Sequence, residues 1–475
     1  MDIDYAAGIV PAPRQLAWQR QEFYGFIHFG MNTFTDQEWG TGQESPALFN
    51  PTHLDSRQWA DTARRAGMTG LILTCKHHDG FCLWPSRYTD HTVAQSTWRD
   101  GQGDVVAETA QACREFGLKF GIYLSPWDRA EPTYGTGTPY NDFYINQLTE
   151  LLTQYGPIFE VWLDGANGEG PNGKKQHYDW TRIYETVRRY QPEAVIAVSG
   201  PDVRWVGNES GHTRTNEWSV VPAGLRDTEK TADRSQKADD AAFAQTYTSA
   251  DDDLGSRQAL ADYTGPLVWY PAEVNTSIRP GWFYHADQDT AVKSADALFA
   301  LYQQAVGGNA TLLLNLPPMP SGQLADPDGA VLAALGHKIN AFQQKNLLAG
   351  GQVTFSSVQQ EIPTGSLITR GTQSEYWQPA ADDSAPTVTV VLPHPVTLNA
   401  LVLQEEISRG QHIETVQAAV QRPGTTAWEP VATIGTVGYQ RIARMPEMTV
   451  QAVRLVFTQY RQFLTLRYLG GNLLT

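Results

Sequence analysis

The chain has 475 residues, enough for more than one domain, and its 41 % apolar and 18 % charged residues are typical of an ordered globular protein rather than a disordered one. Its net charge of −16 argues against nucleic-acid and anionic-membrane partners, because both bind to basic surfaces. The composition instead fits a protein that handles neutral substrates.

The first ten residues, MDIDYAAGIV, contain neither the basic segment nor the long apolar stretch of a secretory signal. No run of about 18 apolar residues occurs, so we expect no membrane span. The three cysteines, Cys75, Cys82 and Cys113, are too few and of odd number for a disulfide framework. These features predict a cytoplasmic protein, although a secreted protein trimmed of its leader would look the same.

Short apolar strands alternate with helical patterns through residues 1–345. The predicted strands are 23–30, 70–74, 119–125, 159–164, 194–199, 216–221, 267–270 and 311–315. The predicted helices are 56–66 (capped by Ser56), 105–116 (capped by Asp104), 141–155, 178–190, 291–306 and one that ends near residue 342. This alternation indicates a buried parallel sheet, and eight such strands fit a TIM-like (β/α)8 barrel with long loops. A doubly wound sheet is the alternative, but no GxGxxG follows an early strand.

The pattern changes after residue 345. Alternating, β-branched stretches separated by turn residues occupy 386–407, 415–424, 429–437 and 452–459, and no helix is predicted there. We therefore expect residues 346–475 to form a separate C-terminal antiparallel β-sandwich domain.

Polar and aromatic residues follow the predicted barrel strands, and loops of this kind gather at one end of a barrel. The candidates are His28, Asn32, Glu38, Trp39, His77, His78, Asp79, Tyr123, Trp127, Asp128, Arg129, Trp162, Asp164, Glu209, Glu217, Glu273, Arg279, Trp282 and His285. Trp162 and Asp164 are two residues apart on a strand and therefore share one face. Each candidate also has a structural interpretation: a strand-end histidine can bond the backbone, Trp162 can pack in the core, and Asp164 can cap the next helix.

The segment CKHHDGFCLW at 75–84 looks like a metal site. Its spacings, however, match neither HExxH nor paired CxxC, and only one carboxylate is adjacent. Neighbouring side chains on an extended backbone also point in opposite directions. We therefore expect no metal and no other cofactor. Carboxylates on separate strand ends, with histidine, tyrosine and tryptophan, fit a sugar-cleaving site better, and a non-catalytic sugar-binding protein remains an alternative.

The chain also resembles a known family. The motifs are FIHFGMNTF, DQEWG, CKHHDGFCLW, YLSPWDR, VWLDGANGEG, RWVGNE, RPGWFY and GGNATLLLNLPP. Their order and approximate spacing over about residues 10–345 resemble the motif series of the α-L-fucosidases of glycoside hydrolase family 29, and the C-terminal sandwich is similar in kind to that family's second domain.

The resemblance implies a retaining, two-step hydrolysis without metal, with Asp164 as the nucleophile. It implies that the fucose-binding residues are His28, Glu38, Trp39, His77, His78, Tyr123, Trp162 and Trp282. The substrate would be a fucosylated oligosaccharide. Another retaining glycosidase, for instance one acting on galactose, and a catalytically silent fucose lectin are the alternatives.

Two glutamates are candidates for the acid/base. Glu217 stands at the start of a predicted strand, where it could serve structure by pairing with a residue such as Arg214. Glu209 lies in a loop between Gly207 and Gly211, where the backbone can bend to aim a side chain over a pocket. The distance of Glu209 from Asp164 along the chain also resembles the family's spacing, so we expect Glu209 to be the acid/base.

The motifs SPWDR, GANGEGPNG and RWVGNE are most similar to those of the subgroup that prefers branched α-1,3/1,4-fucosides. In the loops 127–140 and 167–177 the candidate contacts to a neighbouring sugar are Asp128, Arg129, Tyr134, Asn167 and Glu169. The resemblance therefore implies a preference for Lewis-type glycans.

Overall fold

The computed structural model describes residues 3–229, 231, 253–359, 364–369 and 375–474. Its strands are β1 (Phe23–Ile27), β2 (Gly70–Lys76), β3 (Lys119–Leu124), β4 (Glu160–Leu163), β5 (Val195–Val198), β6 (Arg204–Trp205), β7 (Val220–Pro222), β8 (Leu267–Trp269), β9 (Ala272–Ser277), β10 (Ala310–Asn315), β11 (Gln352–Phe355), β12 (Thr387–Gln404), β13 (Ile413–Gln421), β14 (Glu429–Ile434), β15 (Arg441–Tyr460) and β16 (Tyr468–Asn472). Its helices are α1 (Ile3–Ala7), α2 (Pro13–Gln19), α3 (Met31–Thr35), α4 (Ser56–Arg65), α5 (Val105–Phe116), α6 (Thr138–Gln154), α7 (Trp180–Tyr190), α8 (Arg257–Leu260), α9 (Ala295–Val306) and α10 (Asp326–Gln344). Within the described ranges, no helix combines the length and apolar character that crossing a bilayer requires.

The first sheet has eight strands in the order β5-β4-β3-β2-β1-β10-β9-β6, and every pair in it is parallel. A bridge between Ala197 and Val203 brings the start of β6 beside β5, so the sheet nearly closes on itself. From β1, the neighbouring strands are therefore β2, β3, β4, β5, β6, β9 and β10 in turn, which is chain order, as in a (β/α)8 barrel. The barrel prediction is confirmed, and the doubly wound alternative is wrong because its strand order would reverse at a switch point.

Two of the predicted barrel strands were misassigned. The segments 216–221 and 267–270 overlap with β7 and β8, which form a separate antiparallel ribbon. The sixth and seventh barrel strands are instead β6 and β9. β6 has only two residues, and β9 carries Glu273 and Asn275 in its middle, so neither strand has the apolar run by which the other strands were found.

Side-chain caps fix where helices α4 and α5 begin. The side chain of Asp104 accepts the amide of Ala107 at 2.8 Å and begins α5, as predicted. Helix α4 is capped by Asp55 rather than Ser56, because the Asp55 carboxylate accepts the amide of Arg57 at 3.0 Å.

The C-terminal domain is an antiparallel sheet structure, as predicted from its alternating pattern. Its strand order is β11-β12-β15-β13-β14, and β16 pairs with β12. Strands β12 and β15 are long, and shifts of register interrupt their pairing, which lets them bend around a core that includes Trp377, Leu401 and Val453. Helix α10 ends at Gln344, and β11 begins at Gln352.

Candidate active site

A pocket opens at the carboxyl ends of the barrel strands, and its empty space is about 650 Å3 including the mouth. The residues that line it are Phe26, His28, Glu38, Trp39, His77, His78, Trp162, Asp164, Gly165, Ala166, Val198, Trp205, Glu209, Asn275 and Trp282. Most of these were predicted from strand ends. The exceptions are Phe26, Gly165, Ala166, Val198, Trp205 and Asn275. Asn275 lies two residues after Glu273, and alternation would have found it once β9 was recognised.

Asp164 follows β4 directly and lies in the wall of the pocket beside Trp162. Its Oδ1 accepts the amide of Ala166 at 2.6 Å, and its Oδ2 accepts the hydroxyl of Tyr123 at 3.3 Å. Burial raises the pKa of Asp164, whereas these two hydrogen bonds lower it by favouring the ionised form. These two hydrogen bonds therefore hold the carboxylate in one orientation.

Glu209 reaches the same pocket from the loop after β6. Both Gly207 and Gly211 have positive φ, at 107° and 91°, and the buried side chain of Asn208 ties the loop together through His212 (Nδ2 to the carbonyl oxygen, 2.8 Å; Oδ1 to the amide, 3.2 Å). Burial and the nearby charge of Asp164 raise the pKa of Glu209 to about 8. Glu209 is thus protonated near neutral pH, in a form that can donate a proton.

Glu217 lies elsewhere. Its carboxylate is buried outside the pocket, bonded to Arg204 and to Arg214 Nη1, the latter at 3.3 Å. The ion pair with Arg214 is the structural role that the sequence suggested for Glu217. Glu209, and not Glu217, therefore lies in the pocket with Asp164.

His28 and His78 line the pocket, and each has one ring nitrogen that carries no hydrogen. The amide nitrogen of Asn315 donates to Ser277 and to the carbonyl of Trp282, so its oxygen faces His28 Nδ1 at 2.8 Å and accepts a hydrogen from it. Burial lowers the pKa of His28 to about 3. The ring is therefore neutral, and its Nε2 is left as an acceptor.

His78 has the same tautomer. The hydroxyl of Ser125 donates its hydrogen to the carbonyl of Trp127 at 2.6 Å and so must accept from His78 Nδ1 at 2.7 Å. Burial lowers the pKa of His78 to about 3, so Nε2 again remains an acceptor.

His77 has the opposite tautomer. The amide nitrogen of Asn32 donates to the carbonyl of Glu38 at 2.9 Å and to His77 Nδ1 at 3.2 Å, which leaves the ring hydrogen on Nε2. Burial and the neighbouring histidines lower the pKa of His77 well below its ordinary value. Together the three rings offer two acceptors and one donor, a pattern suited to a cluster of sugar hydroxyls.

The expectation that His77 and His78 point in opposite directions is wrong. Strand β2 ends at Lys76, and the chain then turns, with the amide of Gly80 donating to the carbonyl of His77 at 3.0 Å. The two ring centroids consequently lie 4.0 Å apart, on the same side. In the described ranges no group of three or more His, Cys, Asp or Glu side chains is arranged to hold a metal ion.

Glu38 clamps two loops together. Its carboxylate accepts the amides of Trp282 at 2.9 Å and Phe283 at 3.1 Å and lies 2.8 Å from His285 Nε2. The pKa of His285 is raised to about 9 by Glu38 and Asp36, so the ring is an imidazolium between two carboxylates. This clamp fixes Trp282 at the pocket wall, where its indole nitrogen donates to Glu209 at 3.3 Å.

The other aromatic wall of the pocket is Trp162 against Phe26, with ring centroids 5.2 Å apart. The indole of Trp162 donates to Glu273 Oε1 at 2.7 Å. Glu273 itself was expected in a loop, but it lies on β9 inside the barrel and is fully buried, so it supports Trp162 instead of facing the pocket.

Asp128 and Arg129 are not brought to the pocket wall. The Asp128 carboxylate is buried, 2.8 Å from Lys76 Nζ, and also accepts the amides of Ala130 and Glu131. Asp128 is therefore corrected from a sugar contact to a structural ion pair. Arg129 bonds the carbonyl of Gly40, outside the pocket lining.

Tyr134, Asn167 and Arg279 also have structural partners. The hydroxyl of Tyr134, which is fully buried, lies 2.8 Å from that of Tyr178 and 2.9 Å from Asn167 Oδ1. Arg279 forms a bidentate ion pair with Asp328 behind the Trp282 loop. These residues shape the loops around the pocket and do not line it.

Comparison with known proteins matches both domains to known families. Residues 15–343 match the family model described as alpha-L-fucosidase, and residues 352–468 match the F5/8 type C domain. The chain is 39 % identical to alpha-L-fucosidase 1 of Arabidopsis thaliana over 97 % of this chain and 87 % of the relative.

Two solved structures have the same architecture. A glycoside hydrolase 29 fucosidase of Ruminococcus gnavus in complex with fucose is 28 % identical, with a TM-score of 0.85 over 98 % of this chain and 95 % of that one. A glycoside hydrolase 29 family member from an unknown rumen bacterium is 35 % identical, with a TM-score of 0.79 over 98 % of this chain and 78 % of that one.

Proposed function

The chain belongs to the α-L-fucosidase family and is a glycoside hydrolase of that activity, and from this premise we propose that it releases L-fucose with retention of configuration from α-1,3- and α-1,4-linked positions of oligosaccharides. One observation supports the retaining mechanism. Asp164 and Glu209 line one pocket, and the pKa of Glu209 is raised to about 8, partly by Asp164. Such a pair provides one carboxylate and one carboxylic acid at neutral pH.

The mechanism follows from these two protonation states. Asp164 attacks the anomeric carbon while Glu209 gives its proton to the departing glycosidic oxygen, which forms a fucosyl ester on Asp164. Glu209, now ionised, takes a proton from water, whose oxygen displaces Asp164. Two inversions give net retention, and this route requires the two carboxyl groups about 5–5.5 Å apart.

The rest of the pocket suits fucose. The Nε2 atoms of His28 and His78 can accept hydrogen bonds from hydroxyls, and that of His77 can donate one. The C6 methyl group needs an apolar surface, which the tryptophan faces supply.

Retention is tested by proton NMR of the first sugar released from 4-nitrophenyl α-L-fucoside, before mutarotation. We expect the α-anomer to appear first. Initial release of the β-anomer would mean direct attack by water and would overturn the two-step mechanism.

The linkage preference rests on the loops 127–140 and 167–177, whose sequences resemble the branched-linkage subgroup. The loops pack together beside Asp164, with the indole of Trp127 donating to the carbonyl of Glu169 at 3.0 Å. The side chain of Glu169 is exposed, and Arg129 lies with its guanidinium carbon 5.5 Å from the centroid of the Trp127 ring. We assign these two side chains to the sugar next to fucose, because Glu169 is exposed and Arg129, which also bonds the carbonyl of Gly40, is half-buried and borders the Trp127 ring.

The linkage experiment compares a Lewis trisaccharide with 2′-fucosyllactose, and we expect faster cleavage of the trisaccharide. Glu169→Ala should slow the trisaccharide and leave 4-nitrophenyl α-L-fucoside unaffected, because only the former offers a neighbouring sugar. Glu193→Ala, which removes an exposed glutamate before β5, is the control and should change neither rate. Equal or reversed rates for the two oligosaccharides in the unaltered enzyme would contradict the preference.

A further inference from the structure

Residues 206–219, which join β6 to β7, form the Glu209 loop, and the C-terminal domain makes several polar contacts to the barrel domain along it. Gln411 of that domain is fully buried. Its Oε1 accepts the amide of Ser219 at 2.7 Å, and its Nε2 donates to the carbonyl of Glu217 at 3.2 Å. One side-chain amide thus pairs with the loop backbone as a neighbouring strand would.

The same stretch receives further contacts from the C-terminal domain. The amide of Thr436 donates to Asn216 Oδ1 at 3.1 Å, and Arg441 Nη1 donates to the carbonyl of Thr215 at 2.6 Å. The guanidinium of Arg461 lies 3.9 Å from the centroid of the Trp218 ring. Five successive residues, 215–219, are therefore each held by the second domain.

Inside the loop, this anchored stretch is connected to Glu209. The Glu217 carboxylate accepts from Arg214 Nη1, and the same nitrogen donates to the carbonyl of Val206 at 2.9 Å. Val206 is followed by Gly207 and by Asn208, the residue whose side chain closes the loop around Glu209. The links from Glu217 to Arg214 and from Arg214 to Val206 join buried groups, so this part of the path has little freedom to move.

We propose that the C-terminal domain is part of the catalytic apparatus, with Gln411 a positioning residue that aims Glu209 through the Glu217–Arg214 pair. The inference rests on the proposed acid/base role of Glu209. Proton transfer to a leaving oxygen demands close placement, and a displacement of about 1 Å can cost roughly 100-fold in rate. The second domain thereby acts on the chemical step, in addition to any contribution to stability.

The experiment uses the full chain with Gln411→Met, which keeps the side-chain volume and removes both hydrogen bonds to the loop, together with one to Thr436. We expect kcat/KM for a fucosylated oligosaccharide, whose leaving group needs a proton, to fall about 10- to 100-fold. Cleavage of 2,4-dinitrophenyl α-L-fucoside, whose leaving group needs none, should fall less than about threefold. A merely structural role would lower both rates equally, because it would reduce the amount of folded enzyme.

The matched control is Asn399→Leu. The Asn399 side chain likewise bridges an amide and a carbonyl, both of Leu474, at 2.7 and 2.9 Å, but within the C-terminal domain alone. The ratio of the two rates should stay at its original value in this variant. Where Gln411→Met does not fold, Arg441→Met removes one contact to Thr215 and should change the ratio in the same direction.

Glu209→Ala is measured beside these variants. Equal losses on both substrates in Gln411→Met and Arg441→Met, or no loss, would overturn the positioning role while Glu209→Ala still shows the leaving-group dependence. A Glu209→Ala enzyme without that dependence would instead overturn the acid/base role itself.

Discussion

The indole nitrogen of Trp282 donates a hydrogen bond to Glu209 Oε2 across 3.3 Å. That bond favours the ionised carboxylate and lowers the pKa of Glu209, while burial and Asp164 raise it to about 8. The backbone of Trp282 is in turn fixed by Glu38. Trp282 therefore forms part of the pocket wall and also lowers the pKa of Glu209, the group that must donate and then accept a proton.

Trp282→Phe should raise the pKa of Glu209 further, because the ionised form loses its donor. Glu209 works as an acid only while it is protonated, so activity is present below its pKa and is lost as the pH rises through it. We therefore expect the alkaline limb of the kcat/KM profile to move to higher pH. Trp39→Phe, at the same pocket but without a bond to Glu209, should leave that limb in place. A limb that moves to lower pH in Trp282→Phe would contradict this electrostatic role.

Asp164→Ala should fold normally and lose roughly 10⁴-fold or more in turnover, because the covalent route is removed. Added azide should occupy the space of the missing carboxylate and give β-fucosyl azide, the inverted product. In the unaltered enzyme, a 2-deoxy-2-fluoro-fucosyl fluoride should label Asp164. Peptide mapping that finds the label on another carboxylate would remove Asp164 from the nucleophile position.

Asp328→Ala should destabilise the protein by about 3–5 kcal/mol, since it leaves the guanidinium of fully buried Arg279 without its bidentate partner. Arg279 keeps one contact, 2.8 Å to Asp289, so we expect the lower end of that range. Asp142→Ala breaks an exposed pair with Arg182 and should cost less than about 1 kcal/mol. Urea unfolding measures both. Similar losses in the two variants would mean that burial of the Arg279 pair has no energetic consequence.

EDTA should leave activity unchanged. The Nδ1 atoms of His28, His77 and His78 are engaged by Asn315, Asn32 and Ser125, and the chemistry proposed here uses two carboxyl groups and no metal. Dialysis against EDTA followed by assay with 4-nitrophenyl α-L-fucoside checks this. Activity that disappears and returns with zinc or calcium would restore the metal interpretation of CKHHDGFC.

The sequence predicted the barrel because most of its strands are continuous apolar runs. β2 is GLILTCK and β10 is ATLLLN, both fully buried, and such runs separated by helices have few other solutions. The polar residues at the ends of these strands, such as His77 and Asp164, could be placed for the same reason. The C-terminal sheet followed from its alternation, which reflects one buried and one exposed face.

The features that the sequence did not predict depend on tertiary contacts. β6 is too short for any pattern, and β9 is polar because Glu273 and Asn275 point into the barrel, where partners such as Trp162 compensate for their burial. His77 and His78 share a side because the strand ends before them. Asp128 was misplaced because its partner, Lys76, lies 52 positions earlier and is itself fully buried, an arrangement that no local signal reveals.

The assignment of the acid/base to Glu209 rather than Glu217 is tested by substrates with different leaving groups. Glu209→Ala should nearly abolish cleavage of natural oligosaccharides and spare the first step for an activated aryl fucoside, whose leaving group needs little protonation. The fucosyl ester should then accumulate, because no base activates water.

Azide should relieve that block, since an anion needs no base, and should give α-fucosyl azide with the configuration kept. Glu217→Ala retains Glu209, so azide should give no acceleration there. Its defect should instead include a loss of stability, because Arg204 and Arg214 are left buried without their shared carboxylate. Fucosyl azide from Glu217→Ala, and none from Glu209→Ala, would instead make Glu217 the acid/base and Glu209 a structural residue. That result would contradict the structure, in which Glu217 is buried between two arginines outside the pocket.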